Sequence, residues 1–382
     1  MTKKIRWVIL LVSAVLFLVI MPYILLYSLG YRVDFENRKI VTTGGIYVRV
    51  LPQGANVIID SKIENKTGLF SNSVFVQNLL PKPHAILITK DGYYDYQKTL
   101  PVKENEVTKL EHVLLFKKNI VFDVMADKSQ SPFNPPAADS FTIKNGGLYY
   151  ANVPANANLS PSQKNIPVIK NIVAYKVLDN RITWLGTDGF LYSSDLAGKN
   201  PQKLSKIKLT INLANTYEIF AFNQRIFLKE NNTALLFDQD AKAFKNFHSP
   251  VTDIKSSPND QRLLYYNDHE ILYSDISQLN ERIFLNRFSE TILDAYWLND
   301  DYIIFQLGDP PSLNASAGQS KILISEIDVQ DHVNIVELPQ TVSLTNGAAV
   351  DLENIKISFI QQDKTLYIFN QDKVLVSERL IP

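Results

Sequence analysis

The chain has 382 residues, with 39 basic and 39 acidic side chains and no cysteine. The balanced charge argues against nucleic acid as the main partner, because proteins that bind nucleic acid usually carry a basic surplus. A sequence without cysteine excludes disulfides and cysteine-ligated metals, so packed cores must stabilise its folded parts. The 18 Tyr and 20 Phe residues, against 14 Gly, favour β-structure over disorder.

The first element is an apolar stretch in which residues 7–31 carry no charged side chain. As a helix rising about 1.5 Å per residue, it is long enough to cross a hydrocarbon core of about 30 Å. Lys3, Lys4 and Arg6 precede it, so the positive-inside rule places the N-terminus in the cytoplasm and the rest of the chain outside. Residues 1–31 are therefore predicted to be a cytoplasmic tip and a single transmembrane helix in the cell membrane.

A cleaved secretory signal is the alternative interpretation of this stretch. Such a signal has an apolar run of about 7–15 residues that ends in a small-x-small cleavage site. Here the run is longer, and its exit at Leu26–Tyr31 is a poor cleavage site. The sequence favours an anchor that is retained.

Residues 32–43 are predicted to form a hairpin linker, and residues 44–118 a small β-module. Short runs that alternate in polarity, separated by turn residues, indicate a sandwich of two sheets. Six strands are expected in this module: Ile46–Val50, Asn56–Asp60, Ser73–Gln77, His84–Thr89, Tyr96–Val102 and Val107–Leu115.

The turn Leu51-Pro52-Gln53-Gly54-Ala55, the following strand to Asp60, and Lys90-Asp91-Gly92-Tyr93-Tyr94 resemble a PEGA domain. Gln53 stands where that family usually has Glu, and Ser61 follows Asp60 where a glycine is common. The resemblance implies an extracytoplasmic, immunoglobulin-like module, often tethered to a membrane and associated with the cell surface or wall.

The family motif is expected to be structural rather than ligand-binding. Its residues here are Pro52, Gly54, Ala55, Asp60, Gly92 and Tyr93. Pro52 and the two glycines would shape turns, and Tyr93 would fill the core. Tyr94 and Tyr96 are candidate surface contacts, because strand alternation would send both side chains to one face.

Residues 119–382 repeat with a period near 40, and each unit has three or four strands. Turn asparagines mark the units at Asn180, Asn223, Asn259, Asn299 and Asn354. A period of this length is typical of a β-propeller, and the stretch resembles the degenerate WD40-like or TolB-like propellers. The predicted fold class is all-β with one N-terminal transmembrane helix, a PEGA-type sandwich, and a propeller of about six blades.

The sequence contains no motif for catalysis, metals or cofactors. Its five histidines lack metal-ligand spacing, and neither a nucleophile elbow nor a phosphate-binding loop is present. Asp253, Asp294 and Asp351 lie near the starts of repeat units, where capping turns is their expected role. Three long polar loops, Ala126–Ser140, Ala155–Asn165 and Asp309–Ser320, are surface insertions or a binding rim.

Two functions are weighed first, and a third possibility is that the propeller only supports assembly of a larger complex. The favoured hypothesis is a non-catalytic, membrane-anchored envelope protein whose partners are the lipid bilayer and a cell-wall polymer or envelope protein. In it, the sandwich is a spacer or wall contact, and the propeller is a platform that binds protein or glycan. The alternative is an anchored glycan or peptide hydrolase whose site lies in the propeller channel.

Overall fold

The structure is a computed structural model that describes residues 3–35, 38–68, 71–125, 141–150, 166–178, 180–308, 320–370 and 373–382. The chain divides into two compact units. The first unit comprises Met1–Ile120, Asp328–Pro339 and Leu380–Pro382, and the second comprises Val121–Ile327 and Gln340–Arg379. The three long polar loops lie outside the described residues, apart from Ser320.

The apolar stretch forms helix α1, Lys3–Ser28, with Pro22 in its interior. Its large apolar side chains are exposed along the whole described length. Residues 4–28 are long and apolar enough to cross a membrane. A helix that is apolar on all sides is suited to lipid, because it has no polar face to present to water.

A two-stranded hairpin follows the helix. Strands β1, Tyr31–Asp34, and β2, Lys39–Thr42, pair antiparallel, with Val33 opposite Ile40. Thr43 closes the connection to the helix, since its amide N–H donates to the Gly30 carbonyl at 2.9 Å.

The sandwich contains seven described strands, one more than the sequence indicated. They are β3 Gly44–Leu51, β4 Asn56–Ile59, β5 Ile63–Lys66, β6 Ser73–Leu79, β7 Pro83–Thr89, β8 Tyr96–Pro101 and β9 Val107–Leu114. One sheet has the order β6-β3-β9 and the other β5-β4-β7-β8. Inward residues of both sheets, such as Val48, Val57 and Ile88, form one core.

The second unit is built from consecutive small antiparallel sheets. Its strands are β10 Val121–Val124, β11 Phe141–Lys144, β12 Gly147–Tyr150, β13 Ile169–Lys170, β14 Ile172–Leu178, β15 Arg181–Gly186, β16 Leu191–Asp195, β17 Gln202–Lys203, β18 Tyr217–Phe222, β19 Arg225–Glu230, β20 Thr233–Asp238, β21 Ala243–His248, β22 Asp253–Ser256, β23 Arg262–Tyr266, β24 Glu270–Asp275, β25 Ile283–Arg287, β26 Thr291–Trp297, β27 Tyr302–Gly308, β28 Lys321–Glu326, β30 Thr341–Leu344, β31 Ala349–Asp351, β32 Lys356–Ile360, β33 Thr365–Asn370 and β34 Lys373–Arg379. The intervening β29, Ile335–Glu337, falls in a segment of the first unit.

Six sheets follow one another along the described part of this unit, which confirms the propeller and its expected blade number. They are β11-β12-β13, β14-β15-β16-β17, β18-β19-β20-β21, β22-β23-β24-β25, the sheet of β26, β27 and β28, and β31-β30-β10-β34-β33-β32. Edge strands of neighbouring sheets contact each other, as β14 with β18, β22 with β26, and β26 with β32. Because sheets arranged in a ring converge on its axis, these edge strands are the inner strands of the blades.

The ring is closed by the two ends of this unit. β10, its first strand, pairs antiparallel with β34, its last, through Phe122 opposite Ser377 and Val124 opposite Leu375. The sixth sheet therefore combines strands from both ends, and neither end is left as a bare edge.

Four of the five repeated asparagines join the first two strands of a sheet, and they make these turns in two ways. Asn180 and Asn223 have φ of 57° and 43°, a left-handed conformation that asparagine tolerates. Asn259 and Asn299 instead accept backbone N–H groups with their side chains. Asn354 was expected to follow the same pattern, but it precedes β32 rather than joining the first two strands of its sheet.

Candidate functional site

A polar cluster on the inner strands of the fourth to sixth blades is the candidate site of the propeller. β22 supplies Asp253 and Lys255, and β26 supplies Asp294 and Tyr296. Tyr266 joins them from the end of β23. Alternation along β22 and β26 buries Ile254 and Ala295 and leaves the polar residues on the other face.

The Asp294 carboxylate is the centre of this cluster. Its Oδ1 lies 2.5 Å from Lys255 Nζ and accepts hydrogen bonds from the Tyr266 hydroxyl at 3.0 Å and the Ala295 amide at 2.8 Å. Its Oδ2 accepts from the Tyr296 hydroxyl at 2.6 Å. Four donors therefore occupy one carboxylate.

The positive charge of Lys255 faces more than one group. Its Nζ lies 3.5 Å from Asp253 Oδ2 and 3.6 Å from the centre of the Tyr296 ring, in addition to Asp294. Since an ammonium group has three donors, these partners use most of its capacity.

Burial, together with the Asp294 carboxylate, raises the pKa of both Tyr266 and Tyr296 above the ordinary tyrosine value. A negative charge beside a buried phenol disfavours phenolate. Both hydroxyls therefore stay protonated near neutral pH and act as donors.

This arrangement joins neighbouring blades. The Trp297 indole N–H donates to the Lys255 carbonyl at 3.0 Å, and the Tyr296 hydroxyl lies 3.3 Å from the Ile357 carbonyl of β32. Three blades thus meet at the cluster. The structure brings Asp253 and Asp294 to it, whereas Asp351 lies on β31 and accepts from Thr341 at 2.6 Å.

A second feature of the propeller is an open polar cleft of about 550 Å³ beside the third blade. It is lined by the turn Asn223, Gln224, Arg225, by Asp238 with the turn that follows it, and by Lys245. Lys245 Nζ lies 3.1 Å from Asp238 Oδ2. Neighbouring charges of both signs and an amide make this cleft suited to a polar ligand.

In the sandwich, the family-motif residues have mainly structural surroundings. Gly54 and Gly92 have φ of 78° and 81°, so both turns use a conformation that suits glycine. Pro52 lies in the first of these turns, and Ala55 is fully buried in the core. Tyr93 packs against that core as a half-buried side chain.

Asp60, in the turn that follows β4, makes hydrogen bonds to two residues of the sandwich. Its Oδ2 lies 2.6 Å from His84 Nδ1, and its Oδ1 accepts the Ala85 amide N–H at 3.0 Å. The other ring nitrogen of His84 lies 2.8 Å from the Leu80 carbonyl. A buried histidine thus ties together the β4–β5 turn and the start of β7.

The expectation that Tyr94 and Tyr96 share an exposed face is wrong for Tyr96. Only 4% of Tyr96 is exposed, and it belongs to the sandwich core. β8 begins at Tyr96, so Tyr94 precedes the strand and the alternation does not extend to it. Tyr94 is half-buried, its hydroxyl donates to the Glu337 carbonyl at 3.0 Å, and burial raises its pKa.

The structure also shows a buried ion pair that sequence reasoning missed. Lys98 is 1% exposed, and its Nζ lies 3.0 Å from both Asp328 Oδ2 and the Asp328 carbonyl oxygen. The same segment of the first unit satisfies edge strand β8, where the amides of Gln97 and Thr99 donate to Asn334 and Asp331. The sequence interpretation had placed residues 328–339 within the propeller. Alternation along β8 marks Lys98 as inward, and this was the available signal.

Among the described residues, no three His, Asp or Glu side chains lie together as a metal site would require. The PEGA domain family matches residues 43–116. This segment is a PEGA domain. The PEGA domain and the apolar helix together fit a membrane-anchored envelope protein.

No curated protein sequence matches the chain significantly. Among solved structures, YCF48 from Cyanidioschyzon merolae shares 13% identity, with a TM-score of 0.38, over 87% of this chain and 98% of that one. The extracellular domain of a hybrid two-component system from B. thetaiotaomicron shares 12%, with a TM-score of 0.41, over 78% and 36%. A chain of an S. cerevisiae assembly of Dbp5, Nup159 and Gle1 shares 10%, with a TM-score of 0.35, over 69% and 96%. At these scores, the propeller assignment rests on the chain's own sheets.

Proposed function

We propose that this protein is a non-catalytic envelope protein held by one transmembrane helix, with its N-terminus in the cytoplasm and its globular units outside. The PEGA domain serves as a spacer or wall contact, and the propeller binds a protein or glycan. The observation that carries the proposal is the exposed apolar surface of α1 in a chain that continues into a PEGA domain and a propeller.

The non-catalytic role is supported by the inner-strand cluster. A general acid or base needs a carboxylate that can exchange a proton with a substrate. Asp294 accepts from four donors, and Asp253 accepts the Ile254 amide N–H and faces Lys255. These carboxylates are engaged in holding the blades.

An anchored glycan or peptide hydrolase is the second candidate, because two carboxylates approach the same lysine on inner strands. Turnover of such a substrate by the purified full chain, abolished by Asp253→Asn with the fold intact, would replace the proposed function. We expect no turnover, and unchanged ligand binding in that variant.

The topology is tested by adding protease to intact cells and then to opened cells. We expect the globular units to be digested from the outside and the N-terminal tip only after opening. Protection of the globular units in intact cells would contradict the proposed orientation.

Binding is tested by capture of cell-wall polymer or envelope proteins on the full chain in lipid nanodiscs. Variants of the cleft, such as Arg225→Ala and Lys245→Ala, should reduce capture if this surface is used. Exposed Lys62, in the PEGA domain, provides a matched control through Lys62→Ala.

A further inference from the structure

The hairpin that follows the helix carries an apolar face that the first unit leaves open. Phe35 is 86% exposed and Ile40 64%, and Tyr31 and Val33 on the first strand are exposed as well. Val33 is directly opposite Ile40, so the exposed apolar residues form a continuous patch across both strands. We call these four residues the apolar hairpin face.

The opposite face of the same hairpin is fixed to the PEGA domain. Val41 and Asp34 are buried. On this face, Arg32 Nη2 donates to Asn78 Oδ1 at 3.1 Å. Thr42 is opposite Tyr31 and so lies on the side of the patch, where its hydroxyl donates to Glu104 Oε2 at 2.7 Å. The Asp34 carboxylate is turned away from the open patch.

The hairpin is also fixed to the end of α1. Arg32 Nη1 donates to the Tyr27 carbonyl at 2.7 Å, and the guanidinium lies 3.4 Å from the centre of the Tyr27 ring. This bond satisfies one carbonyl at the helix C-terminus, where carbonyls lack partners. Two residues, Leu29 and Gly30, separate the helix from β1.

The length of the helix sets the level at which the hairpin begins. With 26 residues, at about 1.5 Å each, α1 is about 39 Å long. A hydrocarbon core is about 30 Å thick, and the bilayer with its headgroups is about 40–45 Å. The helix end and Tyr31 therefore lie at the headgroup level, where aromatic side chains are favoured.

We propose that the apolar hairpin face lies in the lipid interface around the outer end of α1, as a second membrane contact of this protein. The inference rests on the proposed membrane anchor and extends it from a single helix to a helix with an interfacial hairpin. Continuity with the span selects lipid as the occupant, because only Leu29 and Gly30 separate the patch from the helix. Burying such side chains at the interface would limit rotation of the PEGA domain about the helix end.

The test uses nitroxide spin labels on single cysteines, which are clean because the chain has none of its own. The full chain in phosphatidylcholine vesicles is labelled in Phe35→Cys and Ile40→Cys. Leu18→Cys in the span and Lys62→Cys on the PEGA surface serve as references. Collision with oxygen, which enters lipid, is compared with collision with a water-soluble nickel complex.

We expect the oxygen-to-nickel ratios at Phe35 and Ile40 to be several times that at Lys62 and below that at Leu18. Ratios at Phe35 and Ile40 equal to that at Lys62, with Leu18 in lipid, would overturn the hairpin proposal alone. An aqueous ratio at Leu18 as well would overturn both this proposal and the anchor. Spin–spin broadening at Phe35 that disappears on dilution with unlabelled protein would assign the patch to a second copy of the chain.

Discussion

At the residue scale, Asp60 shows how a motif position gains its importance. It combines a φ of 51° with hydrogen bonds to the buried His84 ring and the Ala85 amide. We expect Asp60→Ala to lower the free energy of unfolding of the PEGA domain by about 1–3 kcal/mol, because buried polar groups lose their partner. Asp60→Asn should lose less, since asparagine accepts hydrogen bonds and tolerates this backbone conformation. Calorimetric midpoints of both variants measure the difference, and equal losses would contradict this explanation.

The tyrosines of the propeller predict its behaviour in alkali. A hydrogen bond to Asp188, 2.7 Å away, raises the pKa of Tyr192 to about 12, and burial raises that of Tyr296. Above pH 10 the unfolded chain loses phenolic protons that the native state keeps, so native stability falls as pH rises. Below pH 10 this contribution is fully present.

We expect urea midpoints of the propeller to decrease between pH 10 and 12, and to decrease less steeply in Tyr192→Phe and Tyr296→Phe. Loss of the hydroxyl also lowers stability by an amount that does not depend on pH and is already seen at pH 8. Comparing the slopes of midpoint against pH removes this constant effect. Slopes identical to that of the unchanged protein would contradict the assignment.

Sequence patterns predicted residues well where neighbours along the chain decide their surroundings. The turn glycines Gly54 and Gly92 depend on local backbone shape, and both have the expected positive φ. The prediction for Tyr96 was wrong because alternation was counted through the preceding turn, although the strand begins at Tyr96. The partners of Asp294 come from three strands of two blades, and no spacing in the sequence indicates which they are.

At the scale of elements, the closing strand β10 joins the two ends of the propeller through its pairing with β34. Phe122 is buried, whereas Val124 on the same strand is exposed. We expect Phe122→Ala to lower the free energy of unfolding of the propeller by about 3–5 kcal/mol, the usual range when a buried phenylalanine is replaced by alanine. Val124→Ala is the matched control and should change it little. Similar midpoints for both variants in urea unfolding would show that closure does not depend on this side chain.

The contact of β8 with residues 328–339 is a second prediction at this scale. Asp328→Ala leaves the Lys98 ammonium without its carboxylate, and we expect a loss of about 1.5–3 kcal/mol, as for hydrogen bonds to charged groups. Lys98→Met removes the buried ammonium group itself, so it should lower the free energy of unfolding by less than Asp328→Ala does. The double variant should resemble Lys98→Met, because the two changes remove one interaction. Additive losses in thermal unfolding of the four proteins would contradict a specific pair.

Strands with a long apolar run were easier to predict than strands with few apolar residues. β27 is buried along its length and was recognised from its run Ile303-Ile304-Phe305. β5 was missed, because Ile63 is its only apolar residue and charged residues are typical of an exposed edge. The contact of β8 with a segment more than 200 residues away could not be predicted from the sequence, since it depends on the tertiary fold rather than on local pattern.

At the scale of the whole molecule, helix α1 was the easiest element to predict, because residues 7–31 carry no charged side chain. Trp7–Leu29 contains 15 Val, Ile, Leu and Phe residues. At about −0.3 to −0.6 kcal/mol each, these favour insertion by roughly 4–9 kcal/mol. The site in the propeller was hard to predict for the opposite reason, since its residues come from strands of neighbouring blades.

Two lysines in the middle of the span should therefore abolish anchoring. Each costs about 2.5–3.5 kcal/mol at the centre of a helix, and each also replaces an apolar residue, so Val12→Lys with Leu16→Lys cancels most of the insertion free energy. We expect the double variant to be released from membranes by alkaline carbonate, and both the unchanged protein and Val12→Leu with Leu16→Phe to remain. An interfacial hairpin alone binds reversibly, so it would not retain the double variant under these conditions. Release of the unchanged protein would mean that α1 does not span the bilayer, and the location of both globular units would have to be assigned again.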